Sequence, residues 1–428
     1  MWLDPWPGCL KEHGQAVDLR LDQTYKKSSV MSQNPMNAIH PALKELTALR
    51  RDLHAHPELG FDEHRTSQIV ASFLEQQGIE VHRGLAGTGV VGVIHGAQPG
   101  ASIGLRADMD CLPMVEANDF AHRSIHPGLM HGCGHDGHTV MLLAAARYLA
   151  QTRRFSGTAV VIFQPAEEGG GGARVMIEQG LFERFAVDSI YALHNNPDYP
   201  AGVIAVQPGP VEAAADTFEI VVTGRGGHAA IPHEAVDPVL VASHIVIALQ
   251  SIVSRNLHPL EAGVVTVASM QTSQLSACNV IPSQVKMLGT ARSFTPANRD
   301  LLEKRMGEIA QGIAIAFGAT ATCDYQRGYP STVNHTEQAL FAAQVARSLV
   351  GEENVRCNEP LTMGAEDFSY MLQERPGAYI YLGQGGAAIP GGGHCQLHND
   401  RYDFNDSIIP LGAGLLASLV EQGLPLRP

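Results

Sequence analysis

Residues 158–168 read Thr-Ala-Val-Val-Ile-Phe-Gln-Pro-Ala-Glu-Glu. An apolar run of this length, bounded by turn residues, predicts a strand over 158–163 that is buried on both faces. It delivers a pair of carboxylates, Glu167 and Glu168, at its C-terminal end. The same arrangement recurs twice. Ile-Gly-Leu-Arg-Ala runs into Asp108 and Asp110, and Ser-Ile-Tyr-Ala-Leu runs into His194. Open α/β sheets gather their functional groups at the C-terminal edge of their strands. Three strands ending in ligand-type residues therefore predict such a sheet with a site along one edge.

Working outward, the apolar runs Val90–His95, Ile103–Leu105 and Ser189–Leu193 read as further strands. Thr139–Leu149 and Ala173–Gln179 read as intervening helices, with earlier helices over 42–54 and 63–77. The alternation predicts a mixed, largely parallel sheet. The pattern changes near 213–216. Strands over 217–223, 263–270, 284–294 and 319–327 and helices over 238–254 and 298–317 follow in the order βαββαβ, which is that of a ferredoxin-like unit. We therefore expect 213–328 to be an inserted lid or dimerisation domain. The segments 36–212 and 329–428 then form one catalytic α/β domain, with helices near 336–349, 365–372 and 407–421 and a strand at 378–382. Residues 1–35 are polar and irregular and read as a tail or a misassigned start. The glycine runs 169–172 and 391–393 read as tight loops; they lack the lysine of a phosphate-binding loop.

The chemistry is concentrated in residues 130–138, Met-His-Gly-Cys-Gly-His-Asp-Gly-His. Thiolate, imidazole and carboxylate are the usual protein ligands of divalent metals. Cys133 and His135 are two apart, so on an extended backbone they point the same way. Glu168 and His194 arrive from other strand ends, and His398 is a fifth candidate. Five ligands exceed the need of one ion and suggest two sharing a water. Adjacent carboxylates on an extended segment diverge, so Glu168 can ligate while Glu167 stays free as a base. Asp110 either orients a ligating histidine or caps a turn. His131 and His138 flank the cluster without being assigned as ligands. A rival reading makes Cys133 a nucleophile with His135 or His138 as its base.

In the inserted segment, His228 follows a strand in Gly-Gly-His-Ala-Ala and could donate to an oxyanion. Asn279 and Arg292 could together grip a carboxylate.

The chain has 428 residues, 45% hydrophobic and 17% charged, enough for two domains with a sizeable core. Its formal charge of −14 argues against nucleic acid and anionic membranes as partners. The seven cysteines are scattered and odd in number, which suggests a reducing compartment, hence the cytoplasm. No apolar run approaches the ~20 residues that span a bilayer, and no secretory signal opens the chain.

Taken together, the ordered motifs resemble a known family. They are Arg51–Glu58, Leu105–Asp110, Met130–His138, Pro165–Gly169, Ala192–His194, Gly226–Ala230, Asn279–Pro282, Gly289–Arg292, Gly364–Phe368 and Leu397-His398. The family is that of the metal-dependent amidohydrolases, with hippurate hydrolases, plant indole-acetic-acid–amino-acid hydrolases and bacterial N-acyl-amino-acid hydrolases. It belongs to a dinuclear-metal superfamily with aminoacylases and glutamate carboxypeptidases. The resemblance implies two divalent ions, zinc or manganese with cobalt or nickel also possible, held by Cys133, His135, Glu168, His194 and His398. It implies Glu167 as general base and an N-acyl amino acid as substrate. It also implies a homodimer or dimer-based oligomer in which His228 reaches the neighbouring protomer's site while Asn279 and Arg292 hold the substrate carboxylate. A departure is His194-Asn-Asn-Pro, where relatives often carry other residues after the histidine. A dipeptidase or carboxypeptidase, a deacetylase of N-acetyl-diaminopimelate on the same core, a thiol hydrolase and a non-enzymatic metal-binding protein remain as alternatives at this point.

Overall fold

The structure is a computed structural model and describes residues 34–273, 277–386 and 395–427. The glycine run 391–393 and the segment 1–33 lie outside the described residues. Pro35–Ile39 is a helix whose N-terminus is capped by the Asn34 side chain. Regular structure thus starts at Pro35, at the very end of the segment read as a tail. This helix packs on the helix Ile409–Gly423, where a Cβ at Gly414 would stand 2.8 Å from that of Met36.

The principal sheet has eight strands. In spatial order they are Glu80–Leu85, Gly89–His95, Ser156–Gln164, Gln98–Asp108, Ser189–Asn196, Gly377–Gly383, Ile204–Ala205 and Val355–Arg356. The four from Ser156–Gln164 to Gly377–Gly383 run parallel to one another. The first two and the short Ile204–Ala205 pair antiparallel. The sheet is mixed with a parallel centre, as the strand pattern predicts. The strand Glu80–Leu85 has no signal of its own, because it is a largely exposed edge with little apolar alternation.

The helix His135–Thr152 fills the space beside the parallel strands. It begins four residues before the expected start at Thr139 and is buried nearly all round rather than amphipathic. Leu142, Leu143 and Leu149 are fully inaccessible, each such side chain stabilising the fold by roughly 1.5–3 kcal/mol relative to exposure. The helices Leu43–Ala55 and Ile409–Gly423 pack against it.

Within 213–328 a four-stranded antiparallel sheet has the order Gly263–Thr272, Gln284–Ser293, Ala214–Thr223, Thr320–Arg327. The helices Pro238–Ser251 and Pro296–Ala316 cover it, and Ile220, Ile245, Met287 and Leu302 form a hydrophobic cluster of their own. This is the βαββαβ order and the strand arrangement of a ferredoxin-like fold. One expectation needs correction. The segment Pro238–Asn256 is long and apolar enough to cross a membrane by length and composition. Its inward positions Val241, Ile245 and Leu249 are buried against this sheet.

Candidate metal centre

The candidate residues converge at the C-terminal edge of the parallel strands. Asp108 is the last residue of its strand, and Glu167 and Glu168 follow Gln164. His194 lies inside its strand rather than just past it, because that strand runs on to Asn196. His398 arrives on the segment after the described gap, where its backbone N–H donates to Gly132 O at 2.8 Å.

The turn that delivers Cys133 and His135 is not extended. Gly134 has φ 99° and precedes the helix that starts at His135. A Cβ there would stand 2.3 Å from Asn195 Oδ1, so glycine is required both for conformation and for space. The two side chains still converge. Ligand atoms of Cys133, His135 and His194 lie within 4.8 Å of one another, as do those of Cys133, Glu168 and His398 and those of His135, Glu167 and Glu168. Cys133 Sγ is 3.3 Å from His194 Nε2, and His398 Nε2 is 3.2 Å from Glu168 Oε1.

The polar atoms behind these groups set their orientation. His135 Nδ1 faces the Asp110 carbonyl at 2.9 Å and Asp110 Oδ1 at 3.2 Å. His194 Nδ1 faces the carbonyl of Asn195 at 2.7 Å. Each ring therefore presents Nε2 to the centre, and the buried Nε2 of His135 has no hydrogen-bond partner. A soft thiolate, neutral imidazoles and a carboxylate, with an orphaned imidazole nitrogen among them, fit a divalent ion. Asp110 has a second task, since its Oδ2 accepts from Glu168 N–H at 2.9 Å. Asp110 thus touches two candidate ligands, a geometry that suits an orienting role.

Ala166 separates the acidic pair from its strand with φ 54°, a left-handed conformation that a non-glycine residue holds only at some cost. Glu63 secures it. Its Oε1 accepts from Ala166 N–H at 2.8 Å and its Oε2 from the Thr88 hydroxyl at 2.5 Å. The result is that Glu167 reaches the Asp367 N–H at 3.4 Å while Glu168 turns to His398.

Burial, reinforced by Glu366, Glu168 and Asp367, holds Glu167 well above the usual carboxylate range. Burial also pushes the Cys133 thiol well above its ordinary value, with Glu168 and Glu167 adding to the effect. That is the reverse of a low-pKa nucleophile, and it weakens the thiol-hydrolase reading. His194 is pushed well down by burial and His138, so it stays neutral and able to ligate. Burial opposes protonation of His135, yet Asp108 and Asp110 outweigh it and bring the ring to about 10. Divalent cations would relieve this excess of negative charge.

Several supporting residues went unread in the sequence. Arg106, wholly buried, donates to Asp108 at 2.7 Å, Glu366 at 2.9 Å, Asp367 at 3.0 Å and Gln164 at 2.7 Å. His138 is held between Asp108 Oδ1 at 2.6 Å and Asn195 Oδ1 at 2.7 Å. Their only signal was membership of the quoted motifs, which carries no role by itself.

Cys133, Glu167, Glu168, His194 and His398 border a cavity of about 730 Å3. His228, Asn279 and Arg292 do not. His228 and Asn279 share a shallow hollow on the inserted segment, of about 470 Å3. Arg292 lies on the strand Gln284–Ser293 and donates to Thr290 and to the carbonyl of Ala291. Within one chain, the expected carboxylate grip is therefore not assembled.

Two outcomes follow from this geometry. Asp110→Asn is expected to weaken metal binding about 10–100-fold, the usual consequence of removing an orienting carboxylate; titration of the metal-free protein with Zn2+ measures it, and an unchanged affinity speaks against the orienting role. Burial lifts Glu63 to about 7 from an unfolded value near 4.5. Its folded form holds the proton more tightly, so its contribution to stability is fully present below about pH 4.5 and is lost as pH rises through 7. In Glu63→Gln that part of the decline disappears, as denaturant midpoints across pH 5–8 would reveal; an unaltered pH profile would refute it.

Donors of this kind at the edge of a parallel sheet make a centre suited to divalent metal. The profile of Peptidase family M20/M25/M40 matches residues 104–422, and the chain belongs to that family. The hippurate hydrolase of Campylobacter jejuni is 39% identical over 375 residues, covering 88% of this chain and 95% of that protein. IAA-amino acid hydrolase ILR1-like 4 of Arabidopsis thaliana is 38% identical over 385 residues, 89% of this chain and 86% of its own. Among solved structures, the YXEP protein of Bacillus subtilis, a dinuclear metal binding peptidase from the M20 family, superposes with a TM-score of 0.77. It is 32% identical and covers 91% of this chain and 99% of its own.

Proposed function

We propose that this protein is a metal-dependent amidohydrolase that cleaves N-acyl, including N-aroyl, amino acids to a carboxylic acid and a free amino acid. The observation that carries the reading is the division of the acidic pair. Glu168 is the member of the pair beside Cys133 and His398, whereas Glu167, though also within 4.8 Å of His135 and Glu168, accepts from the Asp367 N–H on the cavity wall. A storage site has no use for the second carboxylate. The likeness to a hippurate hydrolase and an IAA-amino acid hydrolase supports the substrate class. It favours this reading over a dipeptidase, a carboxypeptidase or a diaminopimelate deacetylase.

In this reading Cys133, His135, Glu168, His194 and His398 would hold two divalent ions. The thiolate suits zinc, and manganese, cobalt or nickel are compatible with the rest of the set. When bound, such ions supply Lewis acidity at the amide carbonyl and lower the pKa of water towards ~7. Glu167 takes the proton of the attacking water and returns it to the departing amine nitrogen. Asp110 keeps His135 and the Glu168 backbone in register while this happens.

The distant hollow with His228 and Asn279 finds a role in a homodimer, with 213–328 as its dimerisation unit and lid. The helix Pro238–Ser251 exposes Leu240 and Ile247, 50% and 71% accessible, and the strand Gly263–Thr272 lies at the edge of its sheet. Pairing across these features would bring His228 of one copy to the other's cavity to stabilise the oxyanion, with Asn279 and Arg292 holding the carboxylate. Among the described residues six cysteines are free thiols, in keeping with a cytoplasmic setting.

The test is release of amino acids from N-acylated substrates, hippurate among them, with and without chelator. Hydrolysis that stops on chelation and returns with Zn2+ or Mn2+ is the expected result. Hydrolysis that survives chelation but dies with an alkylating agent would establish a thiol hydrolase instead.

A further inference from the structure

Glu212 ends the short strand Gly209–Glu212 and forms part of the wall of the cavity that holds Cys133 and Glu168. Its side chain is buried, with only 8% of the residue accessible. Oε1 accepts the Tyr381 hydroxyl at 2.6 Å. Oε2 is buried and has no hydrogen-bond partner.

The other carboxylates on this wall that are not candidate ligands or the candidate base are provided for. Glu366 takes Arg106 at 2.9 Å, Asp198 takes the Gln396 amide at 2.7 Å, and Glu359 lies 3.7 Å from Arg356. Glu212 contacts no cation among the described residues, and no lysine or arginine lines the cavity there. A buried carboxylate oxygen without a partner costs several kcal/mol unless it is protonated or paired. Burial and the nearby Glu366 lift this carboxyl to about 7, against the smaller opposing pull of the Tyr381 hydrogen bond and of Arg106.

We propose that Glu212, with the Tyr381 hydroxyl beside it, makes the cavity select N-acyl amino acids that carry a protonated amine remote from the scissile amide. The proposal rests on the amidohydrolase reading above and sharpens its substrate class. An ammonium placed against the Glu212 carboxylate at the cavity wall completes a buried, charge-assisted pair. A neutral chain of the same length leaves that carboxylate without a cation. Neither end of the substrate is privileged by this chemistry, so the amine can reside on the amino acid or on the acyl group.

The experiment measures kcat/KM of the metal-loaded wild-type protein on two matched pairs. Nα-acetyl-L-lysine against Nα-acetyl-L-norleucine places the amine on the amino-acid side. 6-Aminohexanoyl-L-alanine against hexanoyl-L-alanine places it on the acyl side. We expect the amine-bearing member of one pair to be favoured about tenfold or more, and the preferred pair identifies the side. In Glu212→Gln that ratio falls towards one, chiefly through KM. If the neutral members are hydrolysed at least as well as the amines in both pairs, the subsite is overturned and the amidohydrolase reading stands. A preference that persists unchanged in Glu212→Gln overturns the role of Glu212. No hydrolysis of any of the four while hippurate is cleaved overturns the subsite alone; no hydrolysis of hippurate either overturns the parent reading with it. Should Glu212→Gln fail to fold, Tyr381→Phe, which removes the hydroxyl that Glu212 Oε1 accepts, takes its place: a shifted ratio supports the Glu212 subsite and an unshifted one overturns it.

Discussion

Replacing Glu167 with glutamine is expected to leave the metal content unchanged and to lower kcat by about 10²–10⁴, the range for loss of a general base. The amide of glutamine keeps the volume of the side chain and its contact with the Asp367 N–H, 3.4 Å away in the native protein. What it loses is the ability to accept a proton. Because Glu168 and not Glu167 stands beside His398 and Cys133, ligation should survive. Metal analysis and steady-state kinetics on the same preparation separate the two roles. Turnover equal to wild type refutes Glu167 as base; loss of metal along with activity makes it a ligand instead.

The second large effect concerns a residue that touches no substrate. Arg106→Met is expected to destabilise the fold by about 3–5 kcal/mol, the usual result of removing one partner from a buried ionic cluster. Arg106 is the cation shared by Asp108, Glu366 and Asp367, all with side chains at most 3% accessible. Methionine fills part of the space but leaves three carboxylates and the Gln164 amide without their donor. The deficit carries a sign that pH can read. Burial already holds Asp367 well above the usual carboxylate range, and the variant removes the arginine that pulls it down, so stability is expected to recover as pH falls from 7 towards 5. Chemical denaturation of the metal-free protein at both pH values checks this. A loss below 1 kcal/mol, the same at each pH, would mean that the cluster is not held by its arginine.

Much of the fold was legible because burial leaves a mark on residue order. The run Thr158–Phe163 could only be a two-sided buried strand, and the observed strand Ser156–Gln164 extends it by a residue or two at each end. The helix from His135 was read too short because its first turn is built of glycine and histidine, residues that favour loops in isolation. Asp108 and Asp110, arriving from another strand, hold those histidines in the helix. The strand Glu80–Leu85 was missed for want of any apolar face.

The metal-type donors were legible for a different reason. Cysteine, histidine and glutamate at strand ends have a chemistry that does not depend on exact backbone geometry, so an incorrect extended turn at Cys133-Gly134-His135 did no harm. The residues that orient them were not legible, since Arg106, Glu63 and Asn195 act through contacts that only the folded chain creates. His228, Asn279 and Arg292 lie further still from the reach of a single sequence. One chain leaves them away from the cavity, and their proposed task depends on a second.

The central claim is that Cys133, His135, Glu168, His194 and His398 together enclose two cations. Anomalous diffraction from crystals grown with Zn2+ or Mn2+ tests it most directly. The account predicts two resolved peaks inside this set of five, with Glu167 beside them and bound to neither. A single peak, or peaks held by other side chains with Cys133 and His398 pointing elsewhere, would contradict it.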